Sequence, residues 1–245
     1  MSVYYQDENV TLYHGDCREV LPSVTADSLI TDPPYAIQKN GEMLGFAPEK
    51  GDWGGKGSHS RGYADHDPVA FAELMGEAFG MAHDALPSGA TGIAFCGNRT
   101  FHQMVTQIEA VGFQPLDVLV FASQGVAKTT TTLAPGHEIA SLFRKAGSPR
   151  HLNPDWKRSN RFDIRKPRQD IDHPTPKPVT WMEVAVGLAS DVGDVVLDPF
   201  AGSGATLRAA VNLGRKAIGV EMDERYCEVI AKRMDQYALD FGGVS

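Results

Sequence analysis

The chain has 245 residues, of which 42% are hydrophobic and 22% charged, and its formal net charge is −8. This composition is typical of a globular protein, and the length suits a single domain over residues 1–245. We find no apolar run of roughly 18 residues and no signal peptide, so we expect a cytoplasmic protein with no membrane partner. The three cysteines are scattered, which argues against a disulfide framework and a zinc site. We therefore predict reduced, buried thiols and no bound metal.

The first predicted element is a short strand over residues 9–13, in which apolar residues alternate. Gly15-Asp16-Cys17 follows it, and a helix is predicted to begin near Cys17. Because a carboxylate accepts hydrogen bonds from the free N–H groups of a first helical turn, Asp16 is a good candidate for the N-cap.

A second predicted strand, Ser28–Thr31, leads into Asp32-Pro33-Pro34-Tyr35. Two consecutive prolines can continue neither a helix nor a sheet, so this stretch forms a rigid loop at the end of the strand. The Asp32 carboxylate and a freed backbone carbonyl could together accept the two N–H bonds of an exocyclic amine. The tyrosine ring could stack on a flipped base. The structural alternative is a proline-rich turn in which Asp32 is a cap and Tyr35 a packing residue.

Residues 36–67 contain seven glycines and show no regular periodicity. A loop of this length in a compact domain is usually a lid, a binding loop or disordered. Since it directly follows the Asp-Pro-Pro-Tyr stretch, we predict a mobile loop that closes over a ligand.

Helices and strands alternate in the pattern of residues 68–122. Helices are predicted over 68–86 and 99–111, and strands over 91–96 and 116–122. This alternation is typical of a doubly wound α/β fold.

The segment 123–172 carries most of the basic charge. A strand is predicted over 137–144, at an edge of the sheet. Residues 144–168 include nine Lys or Arg and two acidic residues, a net charge of +7, so the remainder of the chain carries −15. This asymmetry fits a phosphate-binding surface, with a solvated basic loop as the alternative. Trp156 and Phe162 lie among these charges and suit stacking on bases or sugars. We predict nucleic-acid binding by Lys157, Arg158, Arg161, Arg165, Lys166 and Arg168.

Close to the C-terminus, a proline-rich stretch from His173 to Pro178 precedes a predicted helix over 179–189. A strand then runs into a loop containing Gly202 and Gly204, and a second strand ends in Glu221. Glycines allow a ligand to approach the backbone, and a helix N-terminus favours an anionic group. An acid at the end of the second strand of such a unit accepts bonds from ribose hydroxyls. The pattern indicates an adenosine-containing ligand, with a tight turn as the alternative.

Asp32-Pro-Pro-Tyr35 followed by Asp198-Pro-Phe-Ala-Gly-Ser-Gly204 resembles the motifs of S-adenosylmethionine-dependent DNA amino-methyltransferases. With the catalytic motif first and the cofactor motif last, the chain is similar to their permuted beta subgroup, which methylates adenine N6 or cytosine N4. The resemblance implies a doubly wound, mostly parallel α/β sheet with circularly permuted motif order and an inserted basic target-recognition segment. It also implies double-stranded DNA as the substrate and S-adenosylmethionine as the methyl donor.

The resemblance assigns roles to individual residues. Asp32, Pro33, Pro34 and Tyr35 are the expected catalytic residues. The expected cofactor-binding residues are Asp16, Cys17, His173, Lys177, Asp198, Pro199, Phe200, Gly202, Ser203, Gly204, Thr206, Glu221 and Met222. Among these, Lys177 is expected to pair with the carboxylate of the cofactor. Ala205 is a small departure, since the family favours threonine at this position.

In the family, Asp at the position of Asp32 goes mostly with adenine and Ser with cytosine, so we predict adenine N6 rather than cytosine N4. Protein glutamine methyltransferases carry a related Asn-Pro-Pro-Tyr motif, and the Asp and the basic segment weigh against that class. A catalytically silent DNA-binding protein would be expected to lack motif residues that are present here. The resemblance leaves open a homodimer and a cognate restriction nuclease.

Overall fold

The computed structural model describes residues 1–34, 38–39, 42–43, 68–98, 100–122, 136–148, 152–156, 159–164 and 176–241. Its strands are β1 (Ser2–Gln6), β2 (Val10–His14), β3 (Ser28–Thr31), β4 (Gln38–Lys39), β5 (Glu42–Met43), β6 (Thr91–Cys96), β7 (Phe113–Ala122), β8 (His137–Lys145), β9 (Arg161–Asp163), β10 (Val195–Asp198) and β11 (Lys216–Glu221). Its helices are α1 (Cys17–Val20), α2 (Pro68–Ala85), α3 (Phe101–Ala110), α4 (Val179–Ala189), α5 (Ala205–Asn212) and α6 (Glu224–Phe241).

Among the described residues, nine strands form one sheet in the order β1-β2-β11-β10-β3-β6-β8-β7-β9. The central strands β2, β11, β10, β3 and β6 run parallel to one another. β1 is antiparallel to β2, and β8 is antiparallel to both β6 and β7. The predicted doubly wound, mostly parallel α/β fold is confirmed.

Helices cover both faces of the sheet. One buried cluster joins the sheet to α1, α2 and α3, and the other joins it to α4, α5 and α6. This coverage explains why the central strands β3 and β6 are buried along their whole length, as parallel strands between two helical layers are.

The chain reverses its direction of winding between β10 and β3. From β10 it passes through α5 to β11 on one side, whereas from β3 it passes through α2 to β6 on the other. The two connecting helices lie on opposite faces. In open α/β sheets, ligands bind outside the carboxyl ends of the strands at such a switch point. The fold therefore predicts a ligand site at the carboxyl ends of β3 and β10.

Two sequence expectations about strands are wrong. The strand predicted at a sheet edge is β8, which instead lies between β6 and β7 because residues 139–143 are apolar or small and buried on both faces. The outer positions belong to β1 and β9, which the sequence pattern did not reveal.

Residues 36–67, expected to lack regular structure, include the antiparallel pair β4–β5. The rest of that segment, and with it the predicted loop closure, lies outside the described residues.

Lys145, at the end of β8, fixes the C-terminal end of α2. Its ammonium group donates hydrogen bonds to the carbonyls of His83 at 2.6 Å and Leu86 at 2.8 Å. These carbonyls lie in and just beyond the last turn, where the backbone donors of a helix run out; the His83 carbonyl also accepts the Leu86 N–H at 3.3 Å. The contact ties the helix after the Asp-Pro-Pro stretch to the sheet.

The predicted state of the three cysteines, Cys17, Cys96 and Cys227, is confirmed, since all are buried and free. Within the described ranges, no helix is long and apolar enough to cross a membrane. The same ranges contain no group of three or more His, Cys, Asp or Glu that could hold a metal ion.

Candidate active site

The two motifs recognised in the sequence meet at the switch point of the sheet. β3 and β10 are parallel neighbours, with Leu29 opposite Leu197. Asp32 directly follows β3, and Asp198 is the last residue of β10. The strand register therefore brings together two stretches that are more than 160 positions apart in the chain.

A buried lysine lies against Asp32. The ammonium of Lys177 is 2.8 Å from Oδ2 of Asp32 and 2.9 Å from Oε2 of Glu138, and it lies 5.5 Å from the centroid of the Phe95 ring. The Lys177 side chain is only 6% exposed. Burial by itself would lower the pKa of Lys177, but the carboxylates of Asp32 and Glu138 raise it above its ordinary value. Lys177 is therefore a permanent cation at neutral pH.

Glu138 is the site residue that sequence reasoning missed. β8 runs antiparallel to β6, with Ile139 opposite Cys96. The first residues of β8 consequently lie at the same edge as the carboxyl ends of the parallel strands. The local sequence does not reveal the direction of a strand in the sheet, so it predicted only that Glu138 belongs to a strand. The available signal was an acidic residue at the start of an otherwise largely apolar strand.

Asp198 connects the glycine loop to the strand that carries Asp32. Its Oδ1 accepts hydrogen bonds from the Thr31 hydroxyl at 2.7 Å and from the Phe200 N–H at 3.1 Å. The Thr206 hydroxyl is a third partner. Burial raises the pKa of Asp198 to about 6, although these hydrogen bonds favour the carboxylate. Since Thr31 directly precedes Asp32, this network fixes the two motifs relative to each other.

The loop after β10 contains two glycines in the left-handed region. Gly202 and Gly204 have φ angles of +54° and +75°, a region that side chains other than glycine rarely adopt. A Cβ at Gly204 would also approach the Ile230 side chain to 2.9 Å. The Arg233 guanidinium donates to the Ser203 carbonyl at 2.7 Å and holds the loop against α6.

Glu221, at the end of β11, closes the other side of this loop. It is buried, and its two oxygens accept the N–H groups of Gly202 and Asp223, each at 2.8 Å. Burial raises the pKa of Glu221 to about 7. Since each carboxylate oxygen has two lone pairs, the group retains acceptor capacity for a hydroxyl. Met222 follows, and its carbonyl is 3.1 Å from Nε2 of His14 on β2.

Asp16 caps α1, as the sequence suggested. Its carboxylate accepts the Arg18 N–H at 2.9 Å and pairs with the Arg18 guanidinium at 2.6 Å. The bond to that guanidinium holds the pKa of Asp16 below its ordinary value. The neighbouring Cys17 is buried, and burial raises the pKa of its thiol to about 12. A contact of either residue with the cofactor remains a prediction.

Several predicted site residues fall outside the described residues, namely Tyr35, Lys157, Arg158, Arg165, Lys166, Arg168 and His173. Pro33 is buried and Pro34 half-buried beside Asp32. Arg161 lies on the outer strand β9, where it is exposed and pairs with Asp163 at 3.0 Å.

The two aromatic residues of the basic segment pack on the core. Phe162 stacks on Phe121 with ring centroids 5.2 Å apart. Trp156 covers Gly187 of α4 so closely that a Cβ there would lie 2.3 Å from the ring. Both rings are half-buried and anchor the segment to the protein, and the core accepts Trp156 where α4 presents a glycine. Stacking of these rings on bases stays a prediction.

A family model described as DNA methylase matches residues 26–233. The chain belongs to the N6/N4 DNA methylase family. This membership confirms the resemblance found in the sequence and makes the protein a DNA methyltransferase rather than a protein glutamine methyltransferase.

Curated and solved relatives of the methylase span nearly the whole chain. The putative methylase YubD of Escherichia coli (strain K12) is 30% identical over 220 residues, which are 86% of this chain and 84% of that protein. The crystal structure of the M1.HpyAVI–SAM complex has a TM-score of 0.68 at 21% identity, covering 92% of this chain and 99% of that one. The cytosine-N4-specific PvuII DNA methyltransferase has a TM-score of 0.73 at 18% identity, covering 94% and 88%. At these identities the structural likeness establishes the shared fold.

Proposed function

We propose that this DNA methylase transfers the methyl group of S-adenosylmethionine to the exocyclic N6 of an adenine flipped out of double-stranded DNA. The observation that carries the proposal is the placement of Asp32. Its carboxylate lies at the switch point, is held by the buried Lys177, and is linked through Thr31 and Asp198 to the glycine loop.

The residues around the glycine loop fit the methyl donor. The positive φ angles of Gly202 and Gly204 and the absence of side chains there allow a ligand to approach the backbone. The buried carboxylate of Glu221 suits ribose hydroxyls. When bound, S-adenosylmethionine supplies an electrophilic methyl group on a sulfonium. Asp16, Cys17, Met222, Asp198, Pro199, Phe200, Ser203, Thr206 and His173 complete the proposed cofactor site.

Asp32 and Pro33 would orient the target amine. The Asp32 carboxylate and the Pro33 carbonyl would accept its two N–H bonds, and Tyr35 would stack on the base. This arrangement would direct the nitrogen lone pair away from the protein groups and towards the methyl carbon. Most of the acceleration would then come from positioning and from stabilising the positive charge that builds on nitrogen. Adenine is favoured over cytosine because Asp, not Ser, opens the motif.

DNA contact is proposed for segment 123–172, through Lys157, Arg158, Arg161, Arg165, Lys166 and Arg168. Support comes from the concentration of charge and from the anchoring of Trp156 and Phe162 on the fold, because Lys157, Arg158 and Arg161 lie between these two residues in the chain. Replacing Lys157 and Arg158 with alanine should weaken DNA binding and lower the salt dependence of binding by about two units of slope. An unchanged slope would place the DNA elsewhere.

The direct test is expression in cells that lack their own DNA methylation, followed by sequencing that registers modified bases. N6-methyladenine confined to one short sequence would support the proposal and supply the target. N4-methylcytosine would keep the mechanism but contradict the choice of base. Cells expressing Asp32→Asn provide the control and should yield unmodified DNA.

A further inference from the structure

Among the described residues, two carboxylates lie against Lys177, and the proposed mechanism involves only one of them. Asp32 and Glu138 approach the same Nζ at 2.8 and 2.9 Å, so their oxygens lie within about 6 Å of each other. Lys177 is almost wholly buried, whereas the two carboxylate side chains are 22% and 30% exposed. The cation is therefore largely shielded from water, whereas both carboxylates remain partly accessible to it.

The charge of this cluster depends on Glu138. Asp32 and Lys177 alone would sum to zero, and a carboxylate neutralised by a buried ammonium is a weaker acceptor for a developing cation. Glu138 adds one negative charge to this pair, at 2.9 Å from the shared ammonium. Because charges interact more strongly in a partly buried site than in water, the charge of Glu138 makes the electrostatic potential beside Asp32 more negative.

The reaction needs negative charge at this place. The amine nitrogen gives its lone pair to the methyl carbon while the electron pair of the carbon–sulfur bond stays on sulfur, so positive charge passes from sulfur to nitrogen. The Asp32 carboxylate then takes one of the two N–H protons, which leaves a neutral secondary amine. Groups preorganised for the charge of the transition state lower the barrier without needing to rearrange.

We propose that Glu138 is a positioning residue for methyl transfer, which shares Lys177 with Asp32 and so adds negative charge beside the target nitrogen. This inference rests on the proposed function, but it holds for an adenine or a cytosine amine. A purely structural alternative is that Glu138 only ties Lys177, and thus the start of α4, to β8.

The variant Glu138→Gln separates these two roles, because glutamine keeps the shape and one oxygen acceptor for Lys177 but lacks the charge. For a target nitrogen about 6 Å from the Glu138 carboxylate, a unit charge at an effective dielectric constant of about 20 to 40 changes a rate by roughly 10- to 100-fold. Glu138→Asp retains the charge on a shorter side chain and should recover part of the lost rate. Glu183→Gln makes the same charge change at an exposed glutamate on α4, which bonds Asn212, and should leave the rate unchanged.

Single-turnover methyl transfer would be measured for wild type, Asp32→Asn and these three variants, together with donor binding by calorimetry and melting temperature. We expect Glu138→Gln to lose 10- to 100-fold in rate with near-native donor affinity, DNA affinity and melting temperature. A near-native rate in Glu138→Gln would overturn the inference. So would a rate loss matched by weaker donor binding or a lower melting temperature, which would indicate a structural tether. An inactive wild type would instead contradict the proposed function. This outcome is distinguishable from a failure of the inference about Glu138, because the wild type is assayed before any variant is compared with it.

Discussion

Lys177→Met tests the charge cluster through stability, independently of activity. The substitution conserves much of the side-chain volume but leaves Asp32 and Glu138, within about 6 Å of each other, without their common cation. Breaking a buried ion pair by removing one partner costs about 3–5 kcal/mol. Since both carboxylates are partly exposed, we take the lower end, and expect the free energy of unfolding to fall by about 3 kcal/mol at pH 8.

This loss should depend on pH. In the wild type, the pKa of Lys177 is raised, so its stabilising contribution is fully present below about pH 10.5 and is lost only as the pH rises through the folded value. In the variant, mutual repulsion raises the pKa values of the two remaining carboxyl groups, so the folded protein binds more protons than the unfolded chain. The variant should therefore gain stability relative to wild type as the pH falls from 8 to 5.

Urea denaturation of both proteins at pH 8 and pH 5 measures this effect. We expect a difference of about 3 kcal/mol at pH 8 that shrinks to about 1 kcal/mol at pH 5. The double variant Lys177→Met/Glu138→Gln removes one of the two facing charges and should recover part of the loss at pH 8. Equal differences at the two pH values, or a fully stable single variant at pH 8, would refute the reasoning.

Three further predictions concern the framework of the site. Gly187→Ala should lower the free energy of unfolding by about 1–3 kcal/mol in urea denaturation, because its Cβ would overlap the Trp156 ring; Gly136→Ala, in open space, should be close to neutral. Lys145→Met should cost about 1–3 kcal/mol by the same assay, since the carbonyls of His83 and Leu86 at the end of α2 each lose a charged donor. The pKa of Asp198, raised to about 6, makes its contribution to stability fall as the pH rises through that value. The free energy of unfolding of Asp198→Asn should therefore rise relative to that of wild type as the pH is raised from 4 to 8. A difference that stays constant over this range would contradict the burial of a charged group.

Strand and helix patterns predicted the parts of the fold that depend on local sequence. The loop predicted after a strand at Gly202 and Gly204 is found between β10 and α5. The helix predicted over 179–189 is found as Val179–Ala189. Asp32 was placed at a strand end because two prolines must interrupt a sheet. Each of these features is set by residues adjacent in the chain.

Features set by tertiary contacts were not predictable in the same way. The antiparallel direction of β8, which brings Glu138 to Lys177, is decided by its pairing with β6 and β7. An aromatic residue among basic ones suggests stacking on nucleic acid. The packing of Trp156 on Gly187, some thirty positions away in the chain, is a tertiary contact that the local sequence does not indicate. The resemblance assigned Lys177 to the carboxylate of the cofactor, whereas in the structure its ammonium lies against Asp32 and Glu138, two carboxylates far from it in the sequence.

The central claim is that Asp32 binds the target amine of adenine, and it is tested most directly by comparing wild type with Asp32→Asn. Methyl transfer from S-adenosylmethionine to a DNA duplex containing the recognised sequence would be followed by mass spectrometry of the nucleosides, with donor affinity measured by calorimetry. We predict N6-methyladenine from the wild type, and from the variant near-native donor affinity without product. A variant that retains a near-native rate, or a wild type that produces only N4-methylcytosine, would contradict the claim.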